Sequence, residues 1–277
     1  MLDLTVIILT YNEELHIRRC LERILPLAKR VIVIDSLSTD KTKEICAEYP
    51  RVDIVEHAWP GNQAAQFNWV LDNVPIDTEW IMRLDADEYL MLGEGQRLKN
   101  LLINISSDVT GIELLLERFF MGKMMKYGGT RHISLMRLFR KGCAKCEQRD
   151  MDEHMELLQG KVYQSDICFA DDSRLPISRW IQKHLGYAER EVRDILRQRE
   201  NTNTANNKEI RHQQTKKGFY NRLPLFFRAF AYFFYRYIIR LGFLDGKEGF
   251  LWHFMQAWWY RTLVDIILLE IKENINN

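Results

Sequence analysis

The chain has 277 residues, of which 47% are hydrophobic and 28% charged, and its formal net charge is +1. This length suits one large domain or a domain with an appendage, and the composition is that of a globular protein. Because the charge is balanced, nothing in the whole chain indicates nucleic-acid binding, and we expect no nucleic-acid partner.

Short apolar runs alternate with helix-like segments through the first 85 residues. Continuous runs rich in β-branched residues are typical of buried strands in a parallel sheet. The alternation predicts right-handed βαβ units, that is, an α/β sheet with helices on both faces. The predicted strands are Leu4–Leu9, Arg30–Asp35, Val52–His57 and Trp80–Leu84, and the predicted helices are Glu13–Leu25, Ser38–Tyr49 and Gln63–Leu71.

The pattern loosens after Leu98. Further strands are predicted over Val109–Met121, Arg131–Gly142 and Lys161–Ala170, and the first two are interpreted as a hairpin-like extension that crosses the sheet. A long charged helix is predicted over Ile177–Arg199, and the polar stretch that follows, residues 200–209, is interpreted as a loop.

Polar side chains follow three of the first four strands. Since the carboxyl ends of parallel strands meet at one edge, where ligands bind in open α/β sheets, these residues form a candidate site. They are Thr10, Tyr11, Asn12 and Glu13 after the first strand, Asp35, Ser36 and Ser38 after the second, and Asp85, Asp87 and Glu88 after the fourth.

Asp85 and Asp87 are separated by one small residue, Ala86. Carboxylates this close repel each other, and a divalent cation relieves that repulsion. Mg²⁺ and Mn²⁺ prefer oxygen ligands and commonly link carboxylates to substrate phosphates. The alternative interpretation of this segment is a solvated acidic turn.

Three segments, "ILTYNEE", "VIVIDSLSTDKT" and "WIMRLDADEYL", resemble the signature segments of family 2 glycosyltransferases in order and spacing. The resemblance covers about the first hundred residues and continues more weakly through "MRLFRKG" and "MDEHMEL". Within the family, the chain is most similar to lipopolysaccharide-core glucosyltransferases and related enzymes of bacterial surface glycans.

The resemblance implies a GT-A fold, a Rossmann-like mixed sheet that binds a nucleotide-diphospho-sugar, with Mg²⁺ or Mn²⁺ and inverting transfer. By position, it assigns the base to Tyr11 and Asp35, the ribose to Asp85 and the metal to Asp87. Many family members have Asp-Asp-Gly-Ser after the second strand, whereas this chain has Asp35-Ser36-Leu37-Ser38, so the choice of nucleotide stays open. The full set expected to border the donor is Thr10, Tyr11, Asn12, Glu13, Asp35, Ser36, Gln63 and Asp85.

The segment "RDMDEHMEL" lies where the family has its acceptor-side acid. Inverting transfer needs a carboxylate that takes the proton of the acceptor hydroxyl. Glu153 is the first candidate and Asp152 the second. His154 would assist the base, contact phosphate or join the metal ligands. The alternatives are an exposed acidic loop and a packed histidine.

Five cysteines, an odd number with irregular spacing, are typical of reduced thiols in a cytoplasmic compartment. Cys143 and Cys146 form one C-x-x-C pair. We interpret it as two thiols in a loop or hairpin, and the alternative is part of a metal or redox site. The first residues lack the basic segment of a signal peptide, which also favours the cytoplasm.

The C-terminal part is aromatic and basic, with "FFRAFAYFFYRYIIRLGF" its densest stretch. Arginines interrupt it too often for a membrane span, which takes about 20 apolar residues. Amphipathic helices of this composition can lie in the headgroup layer of a membrane, and the alternative is ordinary core packing. We divide the chain into a GT-A domain over residues 1–199, with a nucleotide-sugar half (1–105) and an acceptor half (106–199), a linker (200–217) and a membrane-associating helical region (218–277).

These features together predict a cytoplasmic enzyme, peripheral on the inner face of the cell membrane, that transfers a hexose from a UDP-sugar to a lipid-linked or lipopolysaccharide-type glycan. One alternative is a nucleotidyltransferase, but "TYNEELH" stands where such enzymes carry a glycine-rich basic loop. The other is an inactive scaffold that binds sugar nucleotides at a membrane. The sequence does not fix the oligomeric state, the sugar or the linkage.

Overall fold

The computed structural model describes residues 1–147, 154–204 and 223–276. The chain packs as two compact units. The first, called the sheet unit, comprises Met1–Met124 and Thr130–Arg174, and the second, the helical unit, comprises Met125–Gly129 and Leu175–Asn277. The predicted division at residues 199 and 217 concerns function and stays a prediction.

In the described residues, nine strands form one mixed sheet, in the order β3-β2-β1-β4-β8-β6-β11-β5 with β7 paired to β6. The first four run parallel, as predicted, and a separate pair, β9 and β10, forms a small antiparallel hairpin. The strands are β1 (Leu2–Thr10), β2 (Ala28–Asp35), β3 (Val52–Glu56), β4 (Trp80–Asp85), β5 (Glu88–Leu90), β6 (Val109–Phe120), β7 (Lys123–Met124), β8 (Ile133–Arg140), β9 (Ala144–Cys146), β10 (Met155–Leu157) and β11 (Lys161–Asp171).

Helices cover both faces of this sheet, which confirms the predicted fold class. On one face, α1 (Ile17–Ile24), α2 (Thr42–Ala47) and α4 (Glu94–Asn104) pack on the strands through residues such as Leu21 and Leu98. On the other face, α3 (Gln63–Asn73) packs through Phe67. Because both faces are covered, strands β1, β2 and β4 are buried along most of their length.

The later strands extend the sheet instead of crossing it, which corrects one detail of the prediction. Strand β8 pairs antiparallel with both β4 and β6, and β11 then pairs parallel with β6. The short strand β5, which the sequence analysis did not predict, closes the edge against β11. Helix α4 was also not predicted.

The helical unit contains α5 (Ile177–Thr204), α6 (Phe227–Phe234), α7 (Gly246–His253) and α8 (Tyr260–Asn276). Helix α5 begins where predicted but continues through Thr204, beyond the predicted end at Arg199. It packs on α8 through apolar residues that include Val192 and Val264. The predicted C-terminal helices are therefore present, interrupted near Leu241, whose backbone is left-handed (φ 59°).

One buried ion pair lies inside this unit. Arg228 and Asp265 are both buried, and Arg228 Nε donates to Asp265 Oδ1 at 2.7 Å. The second oxygen of Asp265 accepts from Phe226 N at 2.7 Å. Arg228 is therefore engaged in this interior pair and does not contribute to the basic surface of the unit.

The segment Met125–Gly129 is bound by the helices of the same unit. Asp245, which is buried, accepts from Lys126 N (3.0 Å) and Tyr127 N (2.9 Å), and Arg236 Nε donates to Gly128 O (2.9 Å). His253 is buried against Gly128, since a methyl group on that glycine would lie 2.1 Å from the imidazole. No helix in the described ranges combines the length and the apolar character needed to cross a bilayer.

Candidate active site at the strand ends

The first, second and fourth strands end side by side at one edge of the sheet. Pairing places Thr10 opposite Asp35, and Leu9 opposite Asp85. Each strand is an apolar run that stops at this edge, so the first polar side chains of all three come together. The sequence predicted that these polar side chains lie at one edge, and ligands bind at such edges in open α/β sheets.

Asp35 joins the loops that follow β1 and β2. It is fully buried, and its carboxylate accepts from Thr10 Oγ1 (2.8 Å), Ser38 N (2.7 Å) and Ser38 Oγ (2.6 Å). Ser38 Oγ also accepts from Asn12 N at 2.8 Å, and Asn12 Oδ1 accepts from Thr39 N at 2.8 Å. Asn12 has a left-handed backbone (φ 56°), which asparagine tolerates better than most residues. Asp35 thus fixes both loops from within.

Tyr11 is an exposed side chain at this edge. It is 60% exposed, whereas Asp35 beneath the loops has no exposed surface. An exposed aromatic ring on a fixed loop can stack on a flat ligand. In this conformation Asp35 offers no accessible oxygen, so its predicted contact with a base stays a prediction.

A second network fixes the end of β2 from the side of helix α3. The buried Gln66 amide donates to Ser36 Oγ and to His57 O, both at 3.1 Å. Gln66 Oε1 lies 2.6 Å from His57 Nδ1, so that nitrogen carries the proton and donates. The His57 ring stacks on Trp69 with centroids 3.9 Å apart. Helix α3 thus holds Ser36 in place, and its expected contact with the nucleotide stays a prediction.

Glu13 is oriented by a buried histidine. His16 Nε2 accepts from Arg174 N at 2.9 Å, so its Nδ1 carries the proton and donates to Glu13 Oε2 at 2.6 Å. Glu13 N also donates to Thr42 Oγ1 at 2.8 Å. The loop after β1 is therefore fixed at Asn12 and at Glu13 by separate partners.

The acidic turn connects β4 to β5. Asp85 ends β4, and Glu88 begins β5. Glu88 is buried, accepts from Asp85 N at 3.0 Å and forms a short ion pair with Arg137. Burial raises the pKa of Glu88, and the Arg137 guanidinium opposes that rise. Glu88 therefore holds the turn in place. Its ion pair with Arg137 reduces the repulsion among the three acids.

Asp85 keeps one oxygen for a ligand. Its Oδ1 is buried and has no hydrogen-bond partner among the residues that the structure describes. Arg83 Nη2, which donates to Gln63 Oε1 at 3.3 Å, stays 4.0 Å from that oxygen. A buried carboxylate oxygen without a partner is costly and is normally satisfied by a ligand. With the half-buried Asp87 two residues on, the donors are all oxygens, which fits Mg²⁺ or Mn²⁺.

Comparison with known proteins agrees with this geometry. The sequence profile of the family described as "Glycosyl transferase family 2" matches residues 5–112, which include most of β1, all of β2 to β4, and the strand ends at Asp35 and Asp85. Residues 5–112 are a family 2 glycosyltransferase domain.

Relatives of the family 2 domain are found in bacteria. The glycosyltransferase SunS of the SPbeta prophage of Bacillus subtilis (strain 168) is 33% identical over 81 residues, 29% of this chain and 19% of SunS. An uncharacterised glycosyltransferase of Rickettsia bellii (strain RML369-C) is 36% identical over 89 residues, 31% of this chain and 28% of that protein. This chain therefore matches less than a third of either relative's length.

Among solved structures, the mannosyltransferase PcManGT from Pyrobaculum calidifontis, in complex with GDP-Man and Mn²⁺, has a TM-score of 0.53 and 15% identity. The superposition covers 96% of this chain and 87% of that one. The likeness shows the GT-A fold.

Asp172 is a further carboxylate beside the acidic turn, and the sequence did not predict it there. Asp172 N donates to Asp87 O at 3.1 Å, and the buried Asp172 side chain pairs with Arg19 and accepts from Tyr89 OH at 3.4 Å. Asp172 directly follows β11. Like the residues of the candidate site, Asp172 is a polar residue at the end of a strand. The sequence predicted that strand but not its position in the sheet, so Asp172 could not be assigned to the site.

The predicted acceptor-side residues are not placed at this site. Glu153 and Asp152 lie outside the described residues. His154 is exposed just before β10, and in the described part of the chain it forms no compact group of metal-ligating side chains with Asp85 and Asp87. The roles of all three residues stay predictions.

The C-x-x-C pair lies in the β9 hairpin. Both cysteines are buried thiols: Cys143 Sγ accepts from Gln159 Nε2 at 3.2 Å, and Cys146 Sγ accepts from Arg83 Nη1 at 3.1 Å. Neither belongs to a compact metal-ligating group within the described ranges. Cys146 instead helps to orient Arg83 beside Asp85.

Proposed function

We propose that this chain transfers a hexose from a nucleotide-diphospho-sugar, expected to be a UDP-sugar, to a hydroxyl of a glycan acceptor, with inversion at the anomeric carbon. The observation that carries this proposal is the buried Oδ1 of Asp85 at the strand ends of a family 2 domain, an oxygen that accepts no hydrogen bond from the residues that the structure describes.

Asp87 and Asp85 would hold the divalent cation, Mg²⁺ or Mn²⁺. Such a cation neutralises charge on the departing diphosphate. PcManGT, which shares the fold, is in complex with Mn²⁺ and a nucleotide sugar, and this supports a cation at the same edge. Arg83, fixed by Gln63 and Cys146, adds a buried positive charge next to Asp85.

The loops after β1 and β2 would hold the nucleoside. Tyr11 would stack on the base, while the Asp35 and Gln66 networks keep both loops in place before the donor arrives. Pre-formed loops save ordering entropy on binding. UDP is expected from the resemblance to lipopolysaccharide-core glucosyltransferases, whereas PcManGT binds GDP-Man, so a test must include both nucleotides.

Glu153, or Asp152 in its place, would take the proton from the acceptor hydroxyl as that oxygen attacks the anomeric carbon. Attack on the face opposite the diphosphate inverts the configuration in one displacement. His154, next in the chain, would orient the carboxylate.

The helical unit would bring the enzyme to a lipid-held acceptor, such as a lipid-linked or lipopolysaccharide-type glycan at the inner membrane surface. Exposed aromatic and aliphatic side chains beside basic ones favour the headgroup layer of a membrane. Arg240 and Lys247 supply positive charge within the same stretch. The exposed apolar residues are Phe226, Phe227, Phe230, Phe234, Tyr235, Ile238, Ile239, Leu241, Phe243, Leu244, Phe250, Leu251 and Trp258.

Calorimetric titration with UDP, GDP and their hexose conjugates, with Mn²⁺, with Mg²⁺ and with neither, tests donor binding. Wild type should bind one nucleotide series, and only with a cation. Asp87→Ala should lose the cation-dependent part, at least tenfold in Kd, and Asp77→Ala, an exposed acid elsewhere, should not. Equal affinity with and without cation in wild type would refute the proposal, and Mn²⁺-dependent donor hydrolysis would exclude an inactive scaffold.

Sedimentation with vesicles of anionic lipid tests the membrane role. The triple variant Phe227→Asp, Ile239→Asp, Leu244→Asp should remain in the supernatant, because these side chains are more than half exposed. Leu92→Asp, at a still more exposed leucine of the sheet unit, is the control and should pellet like wild type. Co-sedimentation of the triple variant would assign membrane binding elsewhere.

A further inference from the structure

A mixed group of side chains in the sheet unit lies outside the donor site. Glu117 is on β6, Cys168 is on β11, and His132 immediately precedes β8. Sheet pairing brings these three distant segments together, because Leu116 is opposite both Phe169 and Ile133. One ligand atom from each of Glu117, His132 and Cys168 lies within 4.8 Å of the other two.

The contacts of this group converge on a single carboxylate oxygen. Glu117 is only 1% exposed, and its Oε1 lies 2.8 Å from His132 Nε2 and 3.9 Å from Cys168 Sγ. Arg131 Nε donates to both Glu117 oxygens, at 3.1 and 3.3 Å. The strands fix Glu117 and Cys168, so the donors are held in place without a ligand.

The histidine is both accessible and unusually placed. Its side chain is 46% exposed, and its backbone is left-handed (φ 55°). That conformation is uncommon for a residue with a side chain, although histidine adopts it more readily than most. Here it turns the imidazole towards Glu117, while Arg131, 44% exposed, has room to move into solvent.

We propose that Glu117, His132 and Cys168 form a binding site for Zn²⁺ or a similar transition-metal ion. Imidazole nitrogen, thiolate sulfur and carboxylate oxygen are the ligands of zinc, and three of them leave a fourth position for water. Binding displaces the thiol proton to solvent and replaces Arg131 as the counter-charge of Glu117. The donor set differs from the oxygen ligands at Asp85 and Asp87, so the two sites select different metals.

A metal at this position would tie β6, β11 and the start of β8 together. Arg118, next to Glu117, pairs with Asp171 at 2.9 Å, and Asp171 is opposite Glu88 of the acidic turn. Occupancy would therefore stabilise the strands on which β5 is held. The inference is independent of the proposed transfer reaction, because it concerns metal content and stability.

The test measures zinc content and thermal stability of the full chain after removal of metal and equilibrium dialysis against Zn²⁺. Wild type should bind one ion in addition to any at the donor site, with a raised Tm. His132→Gln, at an exposed position that should not disturb folding, and Cys168→Ser should each weaken this binding at least tenfold and abolish the Tm rise. With Co²⁺, wild type should show a thiolate-to-metal absorption band that Cys168→Ser lacks.

Two controls separate this site from others. His154→Gln, at another exposed histidine, and Asp87→Ala, at the donor site, should retain the ion and the Co²⁺ band. The proposal is overturned if wild type takes up no ion after dialysis, or if His132→Gln and Cys168→Ser retain it with unchanged affinity.

Discussion

The two units use polar and apolar groups in opposite ways. At the strand ends of the sheet unit, charged and polar side chains such as Asp35 and Gln66 are buried and fully engaged, and the apolar residues form the core. In the helical unit, many aromatic and aliphatic side chains are exposed, while Arg228 and Asp265 are hidden. The first arrangement suits recognition by placed hydrogen-bonding groups, and the second suits contact with an apolar partner.

The largest expected effect concerns the buried ion pair of the helical unit and its contribution to the free energy of unfolding. Asp265→Ala leaves the buried Arg228 charge without its carboxylate, which should lower the free energy of unfolding by about 3–5 kcal/mol. Denaturant unfolding followed by circular dichroism measures this loss. The double variant Arg228→Met, Asp265→Ala removes the charge as well and should recover much of the stability. A single variant as stable as wild type would show that the pair is not what orders these helices.

The next test removes the carboxylate that joins the two site loops. Asp35→Ala deprives Thr10 and Ser38 of their shared acceptor, which should cost about 1–3 kcal/mol. The loops would lose their pre-formed geometry, so donor affinity should fall at least tenfold while the protein stays folded. Asp53→Ala, at an exposed acid of β3, is the control. Unchanged donor affinity in Asp35→Ala would mean that the loops are ordered by other contacts.

Acid should act on the helical unit through His253. Burial and the nearby Arg236 lower the pKa of His253 from 6.5 to about 4. Between those values the unfolded chain holds a proton that the folded chain does not, so stability falls as pH drops through that window. One proton gives a slope of at most about 1.4 kcal/mol per pH unit. The slope should shrink in His253→Gln and persist in His154→Gln, as measured by unfolding between pH 4 and 7.

The smallest expected effect concerns helix α3. Asn62 caps it, with Oδ1 accepting from Ala65 N at 2.7 Å, and the first turns of this helix supply Gln63 and Gln66. Asn62→Ala should cost about 1 kcal/mol. Asn62→Asp keeps the acceptor and should cost less. If both variants lose the same amount of unfolding free energy, the Asn62 side chain contributes through contacts other than the cap.

The sequence was sufficient for the parallel strands and for the edge at which their ends meet. Buried parallel strands have continuous apolar sequences. The polar residues at their carboxyl ends lie at one edge because the strands are parallel. It was insufficient for β5, a three-residue strand too short to leave a pattern. The polar residues after Arg199 do not forbid a helix, and an established helix extends at little cost.

Individual roles within the site depended on partners far away in the chain. Glu88 was one of three acids in the candidate site, and only the structure shows Arg137 beside it. Asp35 looked like a ligand contact, but the hydroxyls of Thr10 and Ser38 enclose it. Arg228 lies in the aromatic and basic C-terminal part, and only the structure shows that it is buried beside Asp265. Neither spacing nor periodicity encodes such pairings.

The segment Met125–Gly129 has a consequence for dissecting the protein. It is flanked on both sides by the sheet unit, yet its amide groups are bound by Asp245 and its carbonyl by Arg236. The backbone passes from one unit to the other three times, so no single proteolytic cut or stop codon yields both intact. Removing the last hundred residues would leave the amides of Lys126 and Tyr127 without their acceptor in the fragment that remains.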